Sequence, residues 1–66
     1  MEVNIIDSPY FGRKILIGYG YTPKQWTYGY HAFVEGAEDD RPYPIEYGAT
    51  EEEAINNLLE WLKDEI

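Results

Sequence analysis

Gly48-Ala49-Thr50-Glu51-Glu52-Glu53-Ala54-Ile55-Asn56-Asn57-Leu58-Leu59-Glu60-Trp61-Leu62-Lys63-Asp64-Glu65-Ile66 closes the chain and decides its fold. Thr50 followed three residues later by Glu53 is a capping box, in which each residue satisfies a backbone N–H at the start of a helix. Glu51, Glu52 and Glu53 fill the first turn, where the helix dipole favours anions. Ala54, Ile55, Leu58, Leu59, Trp61, Leu62 and Ile66 then recur at helical spacing and fill an arc of roughly 160°. Glu53, Asn56, Asn57, Glu60, Lys63 and Asp64 fill the opposite arc. The spacing predicts a helix from Thr50 to Ile66 with one broad apolar face and one mostly acidic face.

That apolar face needs a sheet to cover, and the upstream sequence supplies one. Pro42-Tyr43-Pro44 permits only extended backbone. Neither proline donates to a ladder, so Tyr43–Tyr47 reads as an edge strand or one entered late, with Tyr43, Ile45 and Tyr47 sharing a face. Further upstream, Arg13–Tyr21 and Trp26–Glu35 both alternate with the two-residue period of a strand. Ile15, Ile17, Tyr19 and Tyr21 fall on one face of the first. Trp26, Tyr28, Tyr30, Ala32 and Val34 fall on one face of the second. Thr22-Pro23-Lys24-Gln25 reads as the turn between them, with Pro23 fixing φ. Pairing Thr22 with Gln25 sets Tyr21 opposite Trp26, Tyr19 opposite Tyr28, Ile17 opposite Tyr30 and Ile15 opposite Ala32. On the reverse face it sets Gly18 opposite Gly29, a bare strip flanked by Leu16, His31 and Phe33. Met1–Ile6 reads as a short first strand, broken by Asp7-Ser8-Pro9.

The expectation is an α+β fold over residues 1–66. It has a three- to four-stranded antiparallel sheet with one C-terminal amphipathic helix packed on one face. Ile15, Ile17, Tyr30, Ile45 and the helix leucines are the expected core. With 66 residues the chain is one domain, and a domain this small buries only roughly 60% of its unfolded surface. There is no Cys, hence no disulfide and no thiolate metal site. No apolar run approaches the ~18 residues of a membrane span, and no basic-then-apolar leader opens the chain.

Charge is the first functional clue. The formal net charge is −8. Residues 1–33 set Glu2 and Asp7 against Arg13, Lys14 and Lys24, a net of +1. Residues 34–66 set eleven acids against Arg41 and Lys63, a net of −9. This excludes direct nucleic-acid binding, which needs phosphate neutralisation. It suits either a solubilising face or a surface made for a basic partner.

Catalytic signatures are absent. His31 is the single histidine and Ser8 the single serine, and neither sits in a nucleophile setting. Glu38-Asp39-Asp40 lacks the alternating oxygen ligands and central glycine of a calcium loop. The Gly18-Tyr19-Gly20 stretch and Gly29 form no phosphate loop. No catalytic residue, metal or cofactor is expected. Eight aromatics, Tyr19, Tyr21, Trp26, Tyr28, Tyr30, Tyr43, Tyr47 and Trp61, exceed what one small core holds, so those near the turn are expected to protrude. Tyr and Trp make rigid anchors at protein interfaces.

The strand-to-helix segment resembles the N-terminal domain of HicB-type antitoxins. That family has a β-β-β-α unit of partial RNase H or dsRBD-like shape, whose last strand ends in a Gly-x-Thr-x-Glu-Glu-Ala segment. Gly48, Thr50, Glu52, Glu53 and Ala54 match it, and Tyr28-Gly29-Tyr30-His31-Ala32-Phe33-Val34 is similar to its second strand. The resemblance covers residues 13–62 and implies neutralisation of a small basic RNase toxin by direct binding. The family continues into a DNA-binding segment, whereas this sequence stops at Ile66, so an autorepressor role is not expected. Gly36-Ala37-Glu38-Asp39-Asp40-Arg41-Pro42 is also longer and more acidic than the family's turn. In size and charge the chain resembles the small inhibitors that phages encode against host defences, anti-CRISPR proteins among them.

The favoured expectation is therefore a non-enzymatic inhibitor in the cytoplasm of a bacterial host cell. Its partner would be another protein, a basic nucleic-acid-binding one, met by mimicry of a DNA backbone. The expected acidic surface is Glu38, Asp39, Asp40, Glu53, Glu60 and Asp64, and the expected aromatic surface is Tyr19, Tyr21, Trp26 and Tyr28. Glu53, Glu60 and Asp64 would recur along the helix at intervals of roughly 6–10 Å. Surplus aromatic surface on a small core also suits a homodimer.

Overall fold

Alternating sequence folds here into an antiparallel meander, and the capped segment lies across it. The computed structural model describes residues 1–23 and 26–64. Strand β1 spans Ile15–Thr22, β2 Thr27–Val34 and β3 Ile45–Gly48; helix α1 spans Glu51–Asp64. The sheet order is β1-β2-β3, both pairs antiparallel. β3 is an edge strand that enters the ladder only at Ile45, after the two prolines.

Helix α1 packs on β2 and β3. The core beneath it holds Val3, Ile15, Ala32, Val34, Ala37, Ala54, Leu58 and Leu62. Ile5, Tyr10, Ile17, Tyr30, Ile55, Leu59 and Trp61 pack around this centre. The apolar arc of the helix is thus the buried one; its proposed last member, Ile66, lies outside the described residues. Asn57 Nδ2 donates to the Tyr47 carbonyl at 2.7 Å and ties the helix to β3.

Four expectations need correction. The first concerns register. Thr22 pairs with Thr27, Tyr21 with Tyr28, Tyr19 with Tyr30 and Ile17 with Ala32, a slip of two residues from the expected ladder. A slip of two leaves every side chain on its expected face, so the aromatic face survives with new neighbours. Thr22 closes the ladder because its hydroxyl donates to the Thr27 carbonyl at 2.8 Å. The turn reading at Lys24 and Gln25 lies outside the described residues.

The second concerns the glycines. Gly20, not Gly18, faces Gly29. Gly18 faces His31, whose imidazole occupies the space a Cβ at Gly18 would need. The close approach allowed by this glycine is therefore made by a side chain of the same sheet.

The third concerns Ile45. Phe33↔Ile45 and His31↔Tyr47 pairing puts Ile45 and Tyr47 on the face away from the helix. Ile45 is half-buried and stands outside the core. Pro44 and Gly48 turn to the helix instead, and both are buried. A Cβ at Gly48 would lie 2.5 Å from Ala54 N and 2.8 Å from Glu53 C. The helix crosses so closely that no side chain fits at this point.

The fourth concerns the N-terminus. Met1–Ile6 forms no strand; it meets the start of β1 through one bridge, Glu2↔Lys14. Val3 N–H donates to Arg13 O, and Gly12 N–H donates back to Val3 O, each at 2.9 Å. Between them the chain turns tightly: Ser8 N–H donates to Ile5 O and Arg13 N–H to Tyr10 O. Gly12 takes φ 84°, a left-handed value that suits glycine. The segment is a closed loop that drops Val3 into the core, and the sheet has three strands.

Leu58→Ala removes the centre of the helix face and should cost about 2–5 kcal/mol. Gly48→Ala should cost about 1–3 kcal/mol, because the atoms it meets are backbone and cannot swing aside. Urea unfolding followed by circular dichroism measures both; near-parent stability of Gly48→Ala would contradict the close crossing.

Candidate functional site

The strands of the hairpin outrun the rest of the fold. β3 ends where Gly48 pairs with Tyr30, whereas β1 and β2 stay paired as far as Thr22 and Thr27. The helix begins just past Gly48 and packs back over β2 and β3, so nothing of α1 covers the distal ribbon. On its helix-side face stand Tyr19, Tyr21 and Tyr28, which are 65%, 53% and 66% exposed.

Their rings form a ladder. Tyr19 meets Tyr30 edge-on with centroids 4.9 Å apart and lies near-parallel to Tyr28 at 6.4 Å. Tyr28 meets Tyr21 edge-on at 5.9 Å. Edge-on and offset arrangements are those the ring quadrupole favours. The two-residue slip produces this zigzag by setting Tyr19 and Tyr21 opposite tyrosines. Trp26 is not opposite Tyr21. It sits in the turn at φ 58°, with its N–H donating to Thr22 O at 2.9 Å, and is 82% exposed. A positive φ is strained for a bulky residue. Hence the four expected aromatic residues share one projecting ribbon, three of them in a contact ladder.

All six expected acids are exposed, but they do not form one row. Glu53 is committed to the helix start: its Oε1 accepts Ala49 N–H at 3.3 Å, and its own N–H donates to Thr50 Oγ1 at 3.1 Å. Thr50 caps the helix as anticipated, but the Glu53 carboxylate reaches Ala49 rather than Thr50, one residue beyond a strict capping box, and this cap lies at the end of α1 nearest the tyrosine ladder. Glu60 and Asp64 lie on the solvent face of the helix. The Glu38-Asp39-Asp40 loop folds beside the last turn of α1, at the end away from the ribbon. There Asp39, Asp40, Arg41 and Pro42 face Trp61 and Leu62 across a cleft of about 420 Å³. Ser8, Pro9 and Tyr10 complete its wall.

The cleft is internally braced. Tyr10 Oη donates to Asp40 Oδ2. Arg41 Nη1 donates to the carbonyls of Glu38 at 3.0 Å and Asp40 at 2.8 Å. The Arg41–Pro42 peptide is cis. Sequence reasoning missed this cleft. The Asp7-Ser8-Pro9 break marks a loop, but no local pattern tells that Tyr10 meets Asp40 thirty residues away.

On the other face, His31 stacks on Phe33 with centroids 5.6 Å apart and tilts toward Tyr47 at 6.4 Å. Tyr43 has its phenol pKa raised above 10.0 by burial, with the Glu38 and Tyr47 charges adding to the rise. Among the described residues no group of three or more His, Asp or Glu is placed to hold a metal ion. No helix among them is long and apolar enough to cross a membrane. Compared with protein-family models, curated proteins and solved structures, the chain finds no match.

Two outcomes check this geometry. Thr50→Ala should cost about 0.5–2 kcal/mol through the lost cap, whereas Glu60→Ala should change stability by no more than about 0.5 kcal/mol. Because folding raises the Tyr43 pKa, the folded state holds that proton more tightly. The stability this contributes is present below pH 10.0 and is lost as pH rises through the folded value. Tyr43→Phe should therefore lose less stability than the parent in alkaline urea titrations.

Proposed function

We propose that this chain is a non-enzymatic inhibitor that binds a basic, nucleic-acid-handling protein and blocks its nucleic-acid groove. The observation that carries the reading is the tyrosine ladder. Large aromatic side chains, more than half exposed and ordered against one another, stand on a ribbon the core does not use. Tyrosine supplies contact area at low conformational cost, which is why it concentrates in binding surfaces. A net charge of −8 selects the partner class. Acids on the helix and on the 38–40 loop repel nucleic acid and attract the Lys/Arg groove of a protein that binds it. The closest functional analogy is the phage anti-defence inhibitor of anti-CRISPR type, with charge standing in for a DNA backbone.

A second reading is an antitoxin of the HicB kind. It is favoured by the sequence match at Gly48, Thr50, Glu52, Glu53 and Ala54, and would direct the same surfaces at a small basic RNase.

Affinity capture from a bacterial lysate with tagged protein, followed by mass spectrometry, identifies the partner. Three variants then test the surfaces: Tyr19→Ser with Tyr28→Ser, Glu38→Lys with Asp39→Lys, and Glu60→Lys with Asp64→Lys. Glu53 and Asp40 stay in place because each holds a structural hydrogen bond. The tyrosine variant should weaken capture at least about tenfold, in line with loss of interface anchors. At least one charge-reversal pair should weaken capture further at low salt than at high salt. Folded variants that all bind as tightly as the parent across the salt series would refute the reading.

A further inference from the structure

We infer that the cleft between residues 8–10, residues 39–42 and the last turn of α1 is a receptor for an arginine side chain of the protein partner. The inference deepens the function proposed above and rests on it for the identity of the partner. The cleft itself rests on the arrangement of its own walls.

Its walls divide by chemistry. Pro9 and Pro42 supply apolar surface for an aliphatic stem, over a floor closed by the buried Leu62. Trp61, half-buried, supplies an aromatic wall. Asp39 and Asp40 supply negative charge. An apolar stem ending in a cation matches all three. Between the two basic side chains, arginine fits better. Its planar guanidinium stacks on an indole and binds carboxylates in a fork, whereas an ammonium is a strongly hydrated point charge. The volume, about 420 Å³, admits the side chain together with the backbone that carries it.

The carboxylates are unequally placed. Asp40 is fixed by the Tyr10 hydroxyl, so its position is set before any ligand arrives. Asp39 has no hydrogen-bond partner among the described residues and is exposed, leaving both of its oxygens to a ligand. Arg41, the one cation lining the cleft among the described residues, donates to the carbonyls of Glu38 and Asp40 and so braces its own loop. The pre-set carboxylate, the free carboxylate and the indole are what distinguish this end of the acidic surface from Glu60 and Asp64.

The test uses the full chain, labelled for amide NMR, titrated with N-acetyl-arginine amide. N-acetyl-citrulline amide, a neutral molecule of nearly the same shape, is the control. Saturable shifts confined to residues 8–10, 39–42 and 61–62 are expected with arginine, and at least about tenfold weaker ones with citrulline. Asp39→Asn should weaken arginine binding by about tenfold, as loss of a charged partner predicts. Trp61→Leu should weaken it as well, and Trp26→Phe, far away on the ribbon, should not. Absence of saturable shifts at tens of millimolar, equal response to citrulline, or shifts centred on the ribbon would each overturn the inference. Failure here is separable from failure of the function. Salt-sensitive capture without arginine binding removes the cleft and keeps the inhibitor. Arginine binding by a chain whose three surface variants capture their target like the parent removes the inhibitor, and the cleft then stands as a guanidinium site alone.

Discussion

The rest of the structure depends on the contact between Gly48 and the first turn of α1. A Cβ at this point would sit 2.5 Å from the Ala54 nitrogen, so the helix can lie on the edge of the sheet only because glycine is there. The cap starts the helix within three residues of that contact: Thr50 Oγ1 accepts the Glu53 N–H, and the Glu53 carboxylate accepts the Ala49 N–H. Once its start and its closeness are set, the path of the helix follows. It packs over β2 and β3, buries Ala54, Leu58 and Leu62, and leaves the distal half of the hairpin uncovered.

That uncovered half gives the molecule two unlike ends. The ribbon end carries tyrosine rings and the first acidic turn of the helix. The far end carries the 38–40 loop, the braced cleft and the last turn of α1. A small domain with few buried residues cannot hide seven tyrosines and two tryptophans. Phenol hydroxyls let such rings face water at less cost than phenylalanine would. A net charge of −8 favours the solubility of a chain with that surface exposed. The ribbon's rings thus stand beside Glu51, Glu52 and Glu53, and the acids of the 38–40 loop lie at the other end of the helix.

Elements set by local chemistry were legible in the sequence. The helix, its cap, its buried arc and the faces of β1 and β2 all follow from spacing and capping residues. What was not legible depended on distant partners. Hairpin register turned on whether Thr22 pairs across to Gln25 or Thr27, and both choices keep the same faces. The face of β3 turned on which side the helix would cross, and a glycine with no side chain carries no periodic signal. The N-terminal loop shows an apolar pattern like a strand, yet Val3, Gly12 and Arg13 close it through hydrogen bonds between residues nine or ten apart. Exposure of Tyr19, Tyr21, Trp26 and Tyr28 was foreseen from their surplus over the core. The cleft was not, because Tyr10 and Asp40 come from different loops.

The outer edge of β1 has a colloidal consequence. Ile15 N–H donates outward to Met1 O, so Ile17, Tyr19 and Tyr21, at the same parity, also turn their backbone groups away from β2. Met1–Val3 shuts the first rungs of this edge, and nothing among the described residues pairs with the remainder. Ile15–Thr22 contains neither lysine nor proline, the residues that usually blunt such an edge. What holds two copies apart is then long-range repulsion between chains of charge −8, whose reach falls from roughly 10 Å at 0.1 M salt to roughly 3 Å at 1 M. The same salt that screens this charge brings the bare edges of the protein within pairing distance of each other.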